Sequence, residues 1–223
     1  MPMILLACVL TAAEAYLLGS IIFGVIISKG IYHDDVRTHG SGGAGMTNML
    51  RNYGKLAAVL TTLGDLAKGI AAVLIGEWLF ATLIPHAGLH PVCGAYLAAI
   101  FAVIGHTKPL FFGFKGGKGV MISAGAAIVT EPLVALILFI IFMTEFFITR
   151  IVSLGSVIIA VLYPIATLSY WVWQGVNLPS AIFIGASTGA MCLMVLYMHR
   201  ENIRRLRSGT EYRFGDKKKP GVK

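Results

Sequence analysis

Residues Phe114–Val120 read FKGGKGV and lie between two of the most apolar segments of the chain. How this stretch is read decides the fold. Glycine gives a permissive backbone whose N–H groups can crowd an anion, and lysine brings positive charge to the same place. The composition fits the Walker A loop of a soluble α/β nucleotide-binding domain, or an anion-binding connection between membrane helices. The Walker A pattern, G-x-x-x-x-G-K-[ST], fails here. Gly113 to Gly117 has the wrong spacing, and Gly119 stands where the magnesium-binding hydroxyl belongs. No strand precedes the loop. What survives is anion binding by Lys115, Lys118 and the backbone of Gly116 and Gly117, with a pair of inner-face anchoring charges as the plain alternative.

The surrounding composition selects the membrane. Of 223 residues, 57% are hydrophobic and only 13% charged, with a mean hydropathy of +0.81. A soluble domain of this length cannot hide that much apolar surface, so lipid must solvate most of it. No segment resembles a separate soluble domain. The expectation is a single integral membrane domain over 1–223 with a basic tail from about 200 to 223. A net charge of +8 would suit nucleic acid, but the basic residues fall in the gaps between apolar runs, which excludes a nucleic-acid-binding face. Cys8, Cys93 and Cys192 lie in different apolar segments without metal-ligand spacing and read as packing residues. The first apolar run has no Lys or Arg before it, so no cleaved signal peptide is expected, and Leu5-Leu6-Ala7-Cys8 resembles a lipoprotein cleavage site only faintly.

A spanning helix needs roughly 20 mostly apolar residues. Candidates run over about 4–28, 56–84, 91–106, 119–130, 132–149, 152–173 and 178–199. The second is too long for one simple span, so 56–64 is expected as a short interfacial piece, with Asp65 and Lys68 near one interface. Glu131-Pro132 is a turn signal. The fold class is therefore all-α and polytopic, with about seven transmembrane helices, or five if 119–149 is re-entrant. Of the 18 Lys and Arg residues, all but Lys68 fall in alternate connections or in the tail. Since cytoplasmic loops hold the excess of such charges, the N-terminus is expected outside and the C-terminus in the cytoplasm.

The polar residues of the inner side form constellations. Residues 37–48 carry four glycines between Gly40 and Gly45 together with Ser41, Thr47 and Asn48, and Arg51 follows. Such a loop can turn N–H groups inward and close onto a helix start, where an anion is favoured; a flexible linker is the alternative. His106 closes one span, Arg150 with Ser153 and Ser156 opens another, and His199 and Asn202 are three apart on one helix face. Each is an ordinary interfacial residue taken alone. Their common assignment to the cytoplasmic side is what carries weight.

These residues resemble the PlsY-type acyl-phosphate:glycerol-3-phosphate acyltransferases of bacterial membranes, from about Gly19 to Glu211. The resemblance rests on Gly40-Ser-Gly-Gly-Ala-Gly-Met-Thr-Asn48 with Arg51, on Gly105-His106 through Phe114–Val120, and on Thr149-Arg150-Ile-Val-Ser153-Leu-Gly-Ser156. His199-x-x-Asn202 through Glu211, and Asp65-x-x-Lys68-Gly69, also match. The family usually has Asn where this chain has Gly43, and an aromatic residue before the proline where it has Lys108.

The resemblance implies acyl transfer from long-chain acyl phosphate to the 1-position hydroxyl of glycerol-3-phosphate. Products are lysophosphatidic acid and phosphate, with no metal, cofactor or acyl-enzyme. It implies a multi-pass protein of the bacterial cytoplasmic (inner) membrane, among membrane lipids, with its active site facing the cytoplasm. Arg51, Lys115, Lys118, His199 and Asn202 are assigned to phosphate recognition, and Ser41, Gly42, Thr47 and Asn48 complete the first loop. Gly116 and Gly117 complete the second; Ser153 and Ser156 line the same cleft, and Arg150 binds phosphate or anchors its helix. His199, Ser41 and Ser153 are the candidates nearest the chemistry, with His199 or the departing phosphate as the base. Asp65 and Lys68 are expected to neutralise each other and support the loops. A rival reading is an organic-phosphate membrane transporter, which predicts inverted repeats and polar groups at mid-membrane; no duplicated halves are visible.

Overall fold

The computed structural model describes residues 1–215; Lys217, Lys218, Lys219 and Lys223 of the basic tail lie outside the described residues. The described chain is helical throughout, as an apolar chain must be where lipid offers the backbone no partner. The elements in order are α1 (Pro2–Gly19), α2 (Phe23–Tyr32), α3 (Met46–Tyr53), α4 (Lys55–Leu83) and α5 (Val92–Thr107). They continue as α6 (Val120–Thr130), α7 (Pro132–Thr149), α8 (Val152–Trp173), α9 (Leu178–Met198) and α10 (Arg200–Arg207). The bundle packs α1 and α4 on α5, α6 on α4, and α8 on α7 and α9.

Among the described residues, six apolar segments are long enough to cross a membrane: Pro2–Tyr32, Lys55–Leu83, Val92–Phe112, Pro132–Thr149, Val152–Trp173 and Leu178–Met198. Of the seven expected segments, the one over 119–130 falls short of spanning length. Helix α6 has 11 residues, about 16 Å of rise, against a hydrocarbon core of about 30 Å.

Two other expectations change in detail. Helix α4 is continuous for 29 residues, so 56–64 is its first turns rather than a separate interfacial piece. Asp65 and Lys68 are buried inside it, at 2% and 4% exposure. The reason is the break in the first span. Between α1 and α2 the helix ladder lapses, leaving carbonyls that lipid cannot satisfy. The Lys68 ammonium donates to two of them, Ile21 O at 2.6 Å and Gly19 O at 3.2 Å, and pairs with Asp65 Oδ1 at 2.9 Å.

Helix α6 is held inside by close backbone packing. A Cβ at Gly69 would meet the Ile122 carbonyl oxygen, and one at Gly125 would meet that of Leu66. Small residues permit such an approach where no hydrophobic effect drives helices together. Helix α7 is apolar but for Thr144, Glu145 and Thr149 near its end and mostly faces outward, with Phe139, Phe147 and Ile148 well exposed. The turn between α6 and α7 buries the Glu131 carboxylate completely. It accepts from Tyr96 Oη, Trp171 Nε1 at 3.1 Å and Thr167 Oγ1 at 3.3 Å, tying the turn to α5 and α8.

Replacing Gly125 by Leu should push α6 off α4 and displace the glycine-lysine loop that precedes it. Overpacking of this kind costs about 1–3 kcal/mol. Thermal melting in detergent should fall and activity should drop beyond what the melting change explains; an unchanged melting profile with unchanged activity would contradict the packing.

Candidate active site

Four stretches distant in sequence meet in one cleft of about 340 Å³ at the end of the bundle that carries α3 and α10. The first is the glycine-rich loop before α3. Gly40 and Gly42 take left-handed φ values of 57° and 69°, which an L side chain adopts only under strain. Asn48 organises the turn. Its Nδ2 donates to Val36 O, His39 O and Gly43 O at 3.0, 3.0 and 2.9 Å, and its Oδ1 accepts from the Ser41 N–H at 3.1 Å. The side chain of Asn48 is thus spent on the loop, while Ser41, Thr47 and Arg51 border the cleft.

The second stretch is the FKGGKG loop. Arg37 clamps it to the first by donating to Phe112 O at 2.6 Å and Lys115 O at 3.1 Å. The Asp35 carboxylate holds the other edge of the guanidinium at 2.7 and 2.9 Å, and that contact keeps Asp35 well below the usual carboxylate range. Gly117 N–H donates to His106 O at 3.0 Å, and a Cβ at Gly116 would strike the same carbonyl. So fastened, the loop sends its two lysines apart. Lys118 enters the cleft, whereas Lys115 is exposed and does not border it. Gly117 borders it; Gly116 and Gly42 do not.

The third stretch is the α7–α8 turn. Arg150 takes a left-handed φ of 60°, and Arg150, Ser153 and Ser156 face the cleft. The fourth is the end of α9, α10 and the segment after it, which folds back so that Thr210, Glu211 and Tyr212 complete the wall. Glu211 is its anchor. Oε1 accepts from Asn202 Nδ2 at 2.6 Å and Ser153 Oγ at 2.8 Å, and Oε2 accepts from Arg205 Nε at 2.7 Å. Burial pushes this carboxyl up, but those three donors outweigh it and hold it below its ordinary value. Asn202 Oδ1 in turn accepts from Lys118 Nζ at 2.5 Å. Tyr212 lies under the Arg51 guanidinium, 4.1 Å from ring centroid to Cζ, a cation–π contact.

The electrostatics favour an anion. Arg51, Lys118, Arg150 and Arg205 face the cleft against the carboxylates of Asp65 and Glu211. Burial lowers Lys118 to about 8, with Arg205 and Arg51 adding repulsion against the pull of Glu211. His199 is lowered to about 4 by burial and by Lys118, so it is neutral at pH 7. Its Nδ1 sits 2.8 Å from Val195 O, which requires the proton on Nδ1 and leaves an Nε2 lone pair. Among the described residues no three His, Cys, Asp or Glu side chains gather as metal ligands.

A membrane-embedded, cationic cleft of this make-up matches known proteins along nearly the whole chain. A family model for glycerol-3-phosphate acyltransferase covers residues 9–209. The chain belongs to that family. It is 43% identical over 210 residues to the glycerol-3-phosphate acyltransferase of Clostridioides difficile (strain 630), covering 94% of this chain and 97% of the relative. Against that of Carboxydothermus hydrogenoformans the identity is 40%, covering 94% and 98%. The crystal structure of PlsY, an integral membrane glycerol 3-phosphate acyltransferase, in its glycerol 3-phosphate form superposes with a TM-score of 0.78 at 34% identity, covering 93% of this chain and 96% of that one. The lysophosphatidic acid form gives 0.76 at the same identity, covering 93% and 95%.

Several residues around this acyltransferase cleft had no role in the sequence reading. Glu211 stood within a matched motif and Arg37 within the first loop, yet nothing in the spacing marks one as an anchor and the other as a clamp. Tyr212 and Thr210 carry no signal at all, because they arrive by a fold-back of the chain.

Two predictions follow from the geometry of the lysines. Lys118→Ala should lose about 10- to 150-fold in kcat/KM, the worth of a charge-assisted hydrogen bond. Lys115→Ala, like the exposed Lys55→Ala, should stay within a few-fold, and kinetics on folded variants check both. Second, a lysine that binds phosphate does so as a cation, and Lys118 has its pKa depressed to about 8, so activity should fall as pH rises through about 8. Lys118→Arg should move that limb upward; an alkaline limb left in place would assign it to another group.

Proposed function

We propose that the chain transfers a fatty acyl group from acyl phosphate to the 1-hydroxyl of glycerol-3-phosphate, at the cytoplasmic face of a bacterial inner membrane. The observation that carries this reading is the convergence of Arg51, Lys118 and neutral His199 beside apolar cleft residues Met46, Val120, Met121, Phe142 and Val152. One cleft thus offers cationic donors for phosphate and an apolar wall for an acyl chain. The relatives named above are glycerol-3-phosphate acyltransferases, which points to the acyl acceptor, and the donor follows from the resemblance of the motifs.

Arg51 and Lys118 hold phosphate in this scheme, with Asn202 fixing the Lys118 ammonium and Ser41, Thr47 and Arg150 contributing at the rim. The acceptor hydroxyl oxygen attacks the acyl carbon, the bond from that carbon to the phosphate oxygen breaks, and phosphate leaves. The hydroxyl proton passes to the departing phosphate. His199 offers its Nε2 lone pair to the same hydroxyl, orienting it, but with a pKa of about 4 it is too weak a base to keep the proton. Neither Ser153 nor Ser156 is poised as a nucleophile. Ser153 Oγ donates to the Glu211 carboxylate, a weak base already taken by Asn202 and Arg205, and Ser156 Oγ donates to Val152 O at 2.9 Å, so neither gives its hydrogen to a histidine that could activate it.

The topology we infer has the N-terminus outside and the C-terminus in the cytoplasm. Lys118 before α6 and Arg150 after α7 border one cleft, so the chain leaves that face through α6 and returns through α7. Short α6 then acts as the seventh crossing, and the positive-inside partition supports the same hand.

Purified protein should turn over acyl phosphate with glycerol-3-phosphate, in the presence of EDTA, and should not use acyl-CoA or acyl carrier protein thioesters. Donor-only incubation should leave every serine unmodified by mass spectrometry. Turnover of a thioester free of acyl phosphate, or an acylated Ser41 or Ser153, would overturn the scheme.

A further inference from the structure

His106 is a second histidine of the cleft, and the scheme above gives it no role. It lies in the last turn of α5, is 3% exposed and borders the cleft beside Gly117. Its Nδ1 lies 2.9 Å from Lys68 Nζ. Lys68 also contacts Asp65 Oδ1, Ile21 O and Gly19 O. An ammonium has three hydrogens and no lone pair. The hydrogens go to Ile21 O, Gly19 O and His106 Nδ1, while Asp65 Oδ1 is an ion-pair contact that lies 3.6 Å from Nδ1, beyond hydrogen-bond reach. The hydrogen in the Lys68–His106 contact therefore belongs to lysine, and Nδ1 is the acceptor. A neutral imidazole whose Nδ1 accepts carries its proton on Nε2.

Nε2 makes no hydrogen bond among the described residues. It lies against the Cα face of Gly117, at the place a Cβ on that residue would occupy. The glycine thus keeps a side chain from covering the N–H. The two histidines of the cleft are held as opposite tautomers. His199 offers a lone pair, fixed by Val195 O, and His106 offers a hydrogen, fixed by Lys68.

We propose that His106 Nε2–H is a direct hydrogen-bond donor to the substrate phosphate at the FKGGKG loop, held in that tautomer by the buried Asp65–Lys68 pair. The donor adds directional recognition without adding charge to a cleft already rich in cations. Lys68 and Asp65 are positioning residues in this account, acting on the phosphate through the ring. The proposal rests on the phosphate-handling function argued above.

Two measurements on the full-length protein in detergent test it. The imidazole ¹⁵N spectrum should show His106, assigned by loss of its signals in His106→Gln or His106→Asn, with a bare Nδ1 and a protonated Nε2. Adding inorganic phosphate or glycerol-3-phosphate should shift the Nε2–H resonance. In kinetics, His106→Ala should raise KM for glycerol-3-phosphate or lower kcat/KM by about 10- to 150-fold. His106→Gln, whose amide reaches the Nε2 position, should recover much of that loss, and His106→Asn should not. A proton on Nδ1, no spectral response to either phosphate compound, or equal defects in the Gln and Asn variants would overturn the proposal. Wild-type protein inactive with acyl phosphate and glycerol-3-phosphate would instead refute the functional reading, so the two failures are distinguishable.

Discussion

The Glu211 carboxylate accepts from Ser153 on α8 and from Asn202 and Arg205 on α10, and through Asn202 it fixes the Lys118 ammonium of the glycine loop. A cleft lined by cations repels itself, and at this depth water screens the repulsion weakly. One ionised carboxylate, saturated by three donors, offsets that repulsion and joins separate stretches of chain in a single geometry. The remaining cationic faces, those of Arg51, Lys118 and Arg150, are then left toward the cavity. The return of residues after α10 to this point also brings Tyr212 under Arg51.

The membrane imposes the second constraint. Every backbone group left over from the break between α1 and α2 needs a partner within the protein, and Lys68 supplies it. A buried ammonium needs a counter-charge, which Asp65 provides from one turn earlier on the same helix. These two residues answer a local backbone defect and reach the cleft, Asp65 directly and Lys68 through His106. Fold and site are thus coupled by hydrogen bonds rather than merely adjacent.

How much of this the sequence shows depends on which physical term decides each feature. Helices α7 and α8 stand at the bounds read from sequence, because a long apolar run between a proline or basic turn and the next polar group has one reading. Helix α4 was harder. Asp65 and Lys68 look like residues that should stop at an interface, and only their partners on α1 and α5 explain their burial. The two glycine-rich loops were legible by composition, since clustered glycines with basic residues have few other uses beside a membrane. Which lysine turns inward was not legible. That depends on the Arg37 clamp, which joins segments 78 residues apart in the case of Arg37 and Lys115, and on the packing of Gly116 and Gly117 against His106. Glu131 read only as a turn, and its role as a buried tie between α5 and α8 depends on Tyr96, Thr167 and Trp171 arriving from elsewhere.

The central claim is that one cleft at one face of the bundle holds the substrate phosphate on Arg51 and Lys118. An experimental structure of the protein with glycerol-3-phosphate bound tests it most directly, through the position of the phosphorus atom. The account places phosphate oxygens within charge-assisted hydrogen-bond distance of both residues, roughly 2.7–2.9 Å, with the glycerol hydroxyls toward His199. A phosphate seated outside the cleft, on Lys115 or Lys29, with Arg51 and Lys118 making no contact, would contradict it.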